Sequence, residues 1–157
     1  MALKYEFVPV FDQGRLALSE RPKIKEIKRL KADKCDRVVT ILSAQGDNAR
    51  SIGKEVTAQG MQWDWVKVST ATDYSPAEYL LLKNAIIRTR EALEKGESVL
   101  VHCSAGRHRT GVLAYCVLRK GGMTHEESLQ IIGQMRPETA AELDGKYLQA
   151  AKDLMAD

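Results

Sequence analysis

The chain has 157 residues, near the size at which a single hydrophobic core closes, so one domain spanning 1–157 is expected. Apolar residues make up 44% and charged residues 29%, with a net charge of +3, a balance that excludes disordered and membrane-embedded classes. The basic excess of residues 1–60 sits mainly in RPKIKEIKRLKADKCDR, a patch without interleaved aromatics, which argues against nucleic-acid binding.

The opening MALKYEFVPVF carries Lys4 and Glu6 where a signal segment needs an unbroken apolar run, and VLAYCVL is too short to span a bilayer. A cytoplasmic protein without membrane insertion is expected. FVPVFDQGR reads as a short loop able to shape one wall of a site. In RPKIKEIKRLKADKCDR, Ile24, Ile27 and Leu30 recur at helical spacing, giving a surface helix whose basic face is solvated or steers anions. DRVVTILSA reads as a buried strand, and DNARSIGKEVTAQG as a helix begun by Asp47 and stopped by Gly60. MQWDWVKVST is strand-like. Ser75-Pro76-Ala77-Glu78 is a capping box with proline at the first helical position, opening a helix that runs to about Lys95. SVLVHC is a short buried strand. TGVLAYCVLRK is apolar nearly all round and ends at Gly121-Gly122, as a central helix would. Two more helices are expected, one from Thr124 with Glu127, one near Thr139 with Glu142, the last with a stripe of Leu143, Tyr147 and Leu154. His125 reads as an exposed first-turn residue.

This alternation predicts an α/β fold: a mostly parallel central sheet of about four or five strands with helices on both faces. Working loops then gather at the carboxyl ends of the strands. The loop holding Asp73 and the loop after SVLVH share that edge.

Cys35, Cys103 and Cys116 cannot all pair, and no Cys-x-x-Cys spacing suggests zinc, so free thiols in a reducing compartment and no metal are expected. Cys35 and Cys116 sit in apolar runs as small buried hydrophobes. Cys103 differs, standing in VHCSAGRHRTG between a buried strand and a helix start. Such a loop aims backbone N–H groups and the positive helix end at one point, forming an anion site. Gly106 permits a turn closed to other residues, and Gly111 permits close helix packing. Arg109 offers a planar fork that matches two phosphate oxygens. The same field favours the thiolate of Cys103, a nucleophile for phosphorus.

The string His102-Cys103-Ser104-Ala105-Gly106-Arg107-His108-Arg109-Thr110-Gly111 resembles the signature loop of the cysteine-dependent protein tyrosine phosphatases, in particular their compact dual-specificity branch. It is more specific than Cys-x5-Arg alone, which rhodanese-like proteins and arsenate reductases share. The resemblance implies that Cys103 is the nucleophile and that Arg109 clamps the phosphoryl group. It implies that Ser104, Ala105, Gly106, Arg107, His108 and Arg109 supply phosphate donors. Thr110 would donate to the departing sulfur, and His102 would hold the loop. In this family an Asp roughly thirty residues upstream is the general acid; Asp73 lies there, with Asp64 in a strand as the competitor. Asp73 as a mere turn cap, and Arg107 and His108 as solvated side chains, stay open. His108 departs from the small residue common before the arginine, and Arg107 adds a cation. The implied protein is a monomeric enzyme without cofactor, acting on a phosphorylated protein: phosphotyrosine, and phosphoserine or phosphothreonine if the pocket is shallow. An inositol phosphate or nucleotide substrate, a phosphate-binding pseudophosphatase, and sulfur transfer or arsenate reduction are the alternatives.

Overall fold

Strand propensity and helix caps place most elements where the sequence puts them. The computed structural model describes residues 2–45 and 48–156. In chain order the elements are β1 (Val8–Val10), β2 (Gly14–Ser19), a 3-10 turn (Ile24–Glu26), α1 (Ile27–Ala32), β3 (Arg37–Ile41), α2 (Ala49–Ala58), β4 (Gln62–Val66), α3 (Pro76–Glu94), β5 (Ser98–His102), α4 (His108–Lys120), α5 (His125–Met135), α6 (Pro137–Ala141) and α7 (Gly145–Met155). Asp47, expected to begin α2, lies outside the described residues. The capping boxes at Ser75 and Thr124 both form, each hydroxyl accepting from the backbone N–H of Glu78 or Glu127.

The strands make one five-stranded sheet ordered β1-β2-β5-β3-β4, parallel except for the β1–β2 hairpin. Period-two alternation splits the core between its faces. Leu16, Leu18, Val39, Val99 and Val101 pack against α3, α4, α5 and α7, while Ala17, Val38 and Leu100 pack on the α1 and α2 side. β5 is buried at every position, and α4 is buried without a break from Thr110 to Leu118. Ser19, His102 and Thr40 lie level across β2, β5 and β3, so the loops that follow these strands emerge at one edge. Among the described residues, no helix is long and apolar enough to cross a membrane.

Three expectations are corrected. FVPVFDQGR is not a loop at the site: it is β1 and a turn at the far edge of the sheet, where the Phe11 ring packs against Gly121. Phe11 and Asp12 both take left-handed backbone, with φ of 51° and 67°, in place of the Asn-Gly that advertises such a turn. The helix expected near Thr139 is two helices, with Thr139 buried inside short α6 and α7 starting at Gly145. His125 is not simply exposed: the Tyr115 hydroxyl hydrogen-bonds its Nδ1 at 2.7 Å and the rings meet edge to face.

Candidate active site

Strand β5 delivers Cys103 to the edge of the sheet and α4 begins at His108, so the intervening loop has few residues in which to turn. Gly106 makes that turn at φ 71°, and a Cβ there would come within 2.3 Å of the Ser19 carbonyl oxygen. At Gly111 a Cβ would meet Thr139 Cγ2 at 3.0 Å, so that glycine lets α6 approach α4.

Every carbonyl of the loop is tied away from its centre. Cys103 O accepts from the His102 ring (3.1 Å), Ser104 O from Arg21 N (2.9 Å), Ala105 O from Arg136 Nη2 (3.1 Å), Gly106 O from the Thr139 hydroxyl (2.5 Å) and Arg107 O from Gly111 N (3.1 Å). A trans peptide holds its carbonyl and the following N–H on opposite sides. The N–H groups of Ser104, Ala105, Gly106, Arg107 and His108 therefore turn inward, beside the start of α4. Such a bowl of donors is shaped to suit an anion. Arg136 and Thr139 are the side chains that sequence reasoning missed here, and nothing in their local pattern marks them.

Beneath the bowl lies a directed relay. His102 is fully buried; its Nδ1 must carry a proton to donate to the Cys103 carbonyl, which leaves Nε2 to accept from the Thr40 hydroxyl at 2.7 Å. Thr40 in turn accepts from Trp63 Nε1 at 2.8 Å. Burial pushes His102 from 6.5 down to about 4, and the charges of Arg21 and Arg109 push the same way, so the ring is neutral near pH 7.

The bowl opens into a cleft of about 260 Å³ lined by Cys103, Ser104, Ala105, Arg107, His108 and Arg109, with Ser69–Thr72 facing them and Tyr147 at one side. Cys103 itself is 3% exposed. Arg109 lies on the cleft, its Nη1 donating to Val68 O at 3.1 Å, which braces the guanidinium against the segment leading to Asp73. The Thr110 hydroxyl is buried and, among the described residues, makes no hydrogen bond, to the Cys103 sulfur or elsewhere. Arg107 and His108 are not merely solvated, since both bond Glu142 and His108 stacks on Tyr147. Cys35 and Cys116 are buried as expected, their thiols pushed up by burial to about 11 and about 12.

The two candidate acids are separated by their surroundings. Asp64 is held by Arg37 at 3.0 Å, with Arg88 at 3.9 Å, in an ion cluster that also joins Glu97. Asp73 is exposed, its carboxylate accepting from the Thr72 hydroxyl at 3.2 Å, and its backbone is left-handed at φ 57°. Ser75 and Glu78 cap α3, so Asp73 is not the cap. Thr72 lines the cleft and Asp73 lies one residue beyond it.

A family model described as the tyrosine phosphatase family matches residues 67–130, the segment that holds Asp73, the bowl and α4. By that segment and by fold, the chain resembles the cysteine-dependent phosphatases. Tk-PTP in its active form is 20% identical, with a TM-score of 0.68 over 94% of this chain and 95% of that one. Kinase-associated phosphatase, crystallised with a serine replacing the catalytic-site cysteine, is 10% identical, with a TM-score of 0.73 over 98% and 93%. The core catalytic domain of the PP-IP phosphatase SIW14 from S. cerevisiae, in complex with citrate, is 14% identical, with a TM-score of 0.66 over 97% and 87%. At these identities the likeness to the solved structures is one of fold. No curated protein matches the sequence.

Proposed function

We propose that the chain is a cytoplasmic phosphomonoester hydrolase that works through a phosphocysteine on Cys103, without metal or cofactor, on phosphotyrosine in proteins and, through a shallow cleft, on phosphoserine and phosphothreonine. The observation that carries the reading is the loop whose carbonyls are all tied outward around Cys103. Five inward N–H groups and the Arg109 fork match the three equatorial oxygens of a phosphoryl group in flight.

In the first step the Cys103 sulfur attacks phosphorus and the ester P–O bond breaks. Asp73 gives its proton to the departing oxygen, which requires the Ser69–Asp73 segment to tuck one residue further over the cleft when substrate binds. In the second step water attacks phosphorus and the S–P bond breaks. Asp73 takes a proton from the water, and the unpartnered Thr110 hydroxyl donates to the leaving sulfur. The flat wall made by Tyr147 and His108 suits an aryl ring on the substrate.

A second reading, a substrate with further phosphates such as an inositol phosphate, is favoured by one feature. Arg21 and Lys23 line a neighbouring cleft that shares Ser104 with the bowl, and the fold likeness to a PP-IP phosphatase agrees with it. The test is turnover of p-nitrophenyl phosphate with EDTA present, followed by phosphopeptides and phosphoinositides. EDTA-resistant hydrolysis with phosphotyrosine peptides preferred is expected. Inactivity on every ester would overturn the hydrolase reading, and preference for an inositol phosphate would move the substrate to the second one.

A further inference from the structure

The bowl carries two basic side chains beyond Arg109, and a single carboxylate meets both. Glu142, on the turn between α6 and α7, accepts from Arg107 Nη1 at 2.9 Å through Oε2, and its Oε1 lies 3.0 Å from His108 Nε2. His108 is held in place by Tyr147, whose ring lies parallel to it at 4.1 Å and 6°. All three groups remain open to water, the side chains of Arg107, His108 and Glu142 being 47%, 38% and 34% exposed. Ion pairs this exposed add little to folding, so stability does not account for the arrangement.

Its position does. Arg107, His108 and Tyr147 line the cleft that ends at Cys103, and Glu142 is a hydrogen bond away from the two basic side chains a substrate passes. A substrate with one phosphate places that group in the bowl and presents nothing charged at the rim. A substrate with a second phosphate on a short polyol would bring it toward Arg107 and His108, where it meets their carboxylate partner instead of free donors.

We infer that Glu142 is a specificity-determining residue: it fills the rim's anion position and selects singly phosphorylated substrates over polyol phosphates carrying two or more. The selection works by neutralising the Arg107 charge that would draw the second phosphate, and it rests on the hydrolase reading above. Arg107 supplies the attraction that Glu142 cancels.

The experiment compares Glu142→Gln with the unaltered chain. Glutamine keeps the length and an acceptor for Arg107 while removing the charge. The readout is the ratio of kcat/KM for an inositol bisphosphate to kcat/KM for p-nitrophenyl phosphate, at low ionic strength. We expect that ratio to rise about tenfold, and the rise to shrink in high salt as the rim charges are screened. The double variant Arg107→Ala/Glu142→Gln should lose the gain, because the cation that Glu142 neutralises is then absent. A ratio unchanged within twofold, an equal loss on both substrates, or a gain that survives the double variant would each overturn the assignment. Failure of the unaltered chain to hydrolyse p-nitrophenyl phosphate would instead refute the hydrolase reading, so the two failures are distinguishable.

Discussion

Thr40→Val probes the relay under the bowl with almost no change of shape. The Thr40 hydroxyl accepts from Trp63 Nε1 and donates to His102 Nε2, and Thr40 and His102 are both fully buried. Valine removes both partners at once, leaving an indole N–H and an imidazole nitrogen unpaired. At about 1–3 kcal/mol for the orphaned buried imidazole, less for the half-buried indole N–H, and with no cavity to add, the loss is about 3 kcal/mol. For a chain of this length that lowers Tm by roughly 6–12 °C, at 2–4 °C per kcal/mol. Urea unfolding followed by tryptophan fluorescence gives the free energy, and p-nitrophenyl phosphate turnover reports whether the Cys103 carbonyl stays anchored. Thr40→Ser keeps the hydroxyl and should recover most of both. A Thr40→Val protein within about 0.5 kcal/mol of the unaltered chain would show that the relay is not held as described.

Two further predictions concern protons. Because burial holds His102 at about 4 in the folded chain against 6.5 free, the unfolded state binds the extra proton between these values. Stability should be flat above about pH 6.5 and fall by about 3 kcal/mol toward pH 4, at 1.36 kcal/mol per pH unit, and His102→Gln should lack that slope. Asp73→Asn should cost about 10²–10⁴ in rate on alkyl phosphates and far less on aryl phosphates with acidic phenols, while Asp64→Asn should cost stability and little rate. A leaving-group-dependent loss at Asp64 with none at Asp73 would move the acid to β4.

The parts of the fold legible in the sequence are those with a local cause. Ser75 with Glu78 and Thr124 with Glu127 announce α3 and α5 because the cap is made within four residues, and the all-apolar α4 follows from burial on every side. The β1–β2 hairpin is hidden because Phe11 and Asp12 take a backbone that neither residue favours, and because Pro9 sits on an edge strand where its missing N–H costs no ladder bond. In the site, Cys103, Gly106, Arg109 and Gly111 are readable from one loop, since strand, turn and helix start are contiguous. The braces are not: Arg136 and Thr139 reach the loop from more than thirty positions downstream, at sequence separations of 31 and 33. Thr40 and Trp63 belong to strands whose pairing sets their neighbours. Glu142 reads as a capping residue until the break between α6 and α7 brings it to Arg107 and His108.

The covalent step is tested most directly by catching the intermediate. Mixing the Asp73→Asn protein, slowed in breakdown of the adduct, with an aryl phosphate bearing an acidic phenol and quenching in acid should leave one phosphate on the chain. Peptide mass mapping should place it on Cys103 and on neither Cys35 nor Cys116, both fully enclosed in the core. Steady turnover of the same ester with an unmodified Cys103 at every quench time, or by a Cys103→Ser protein at the unaltered rate, would contradict the account.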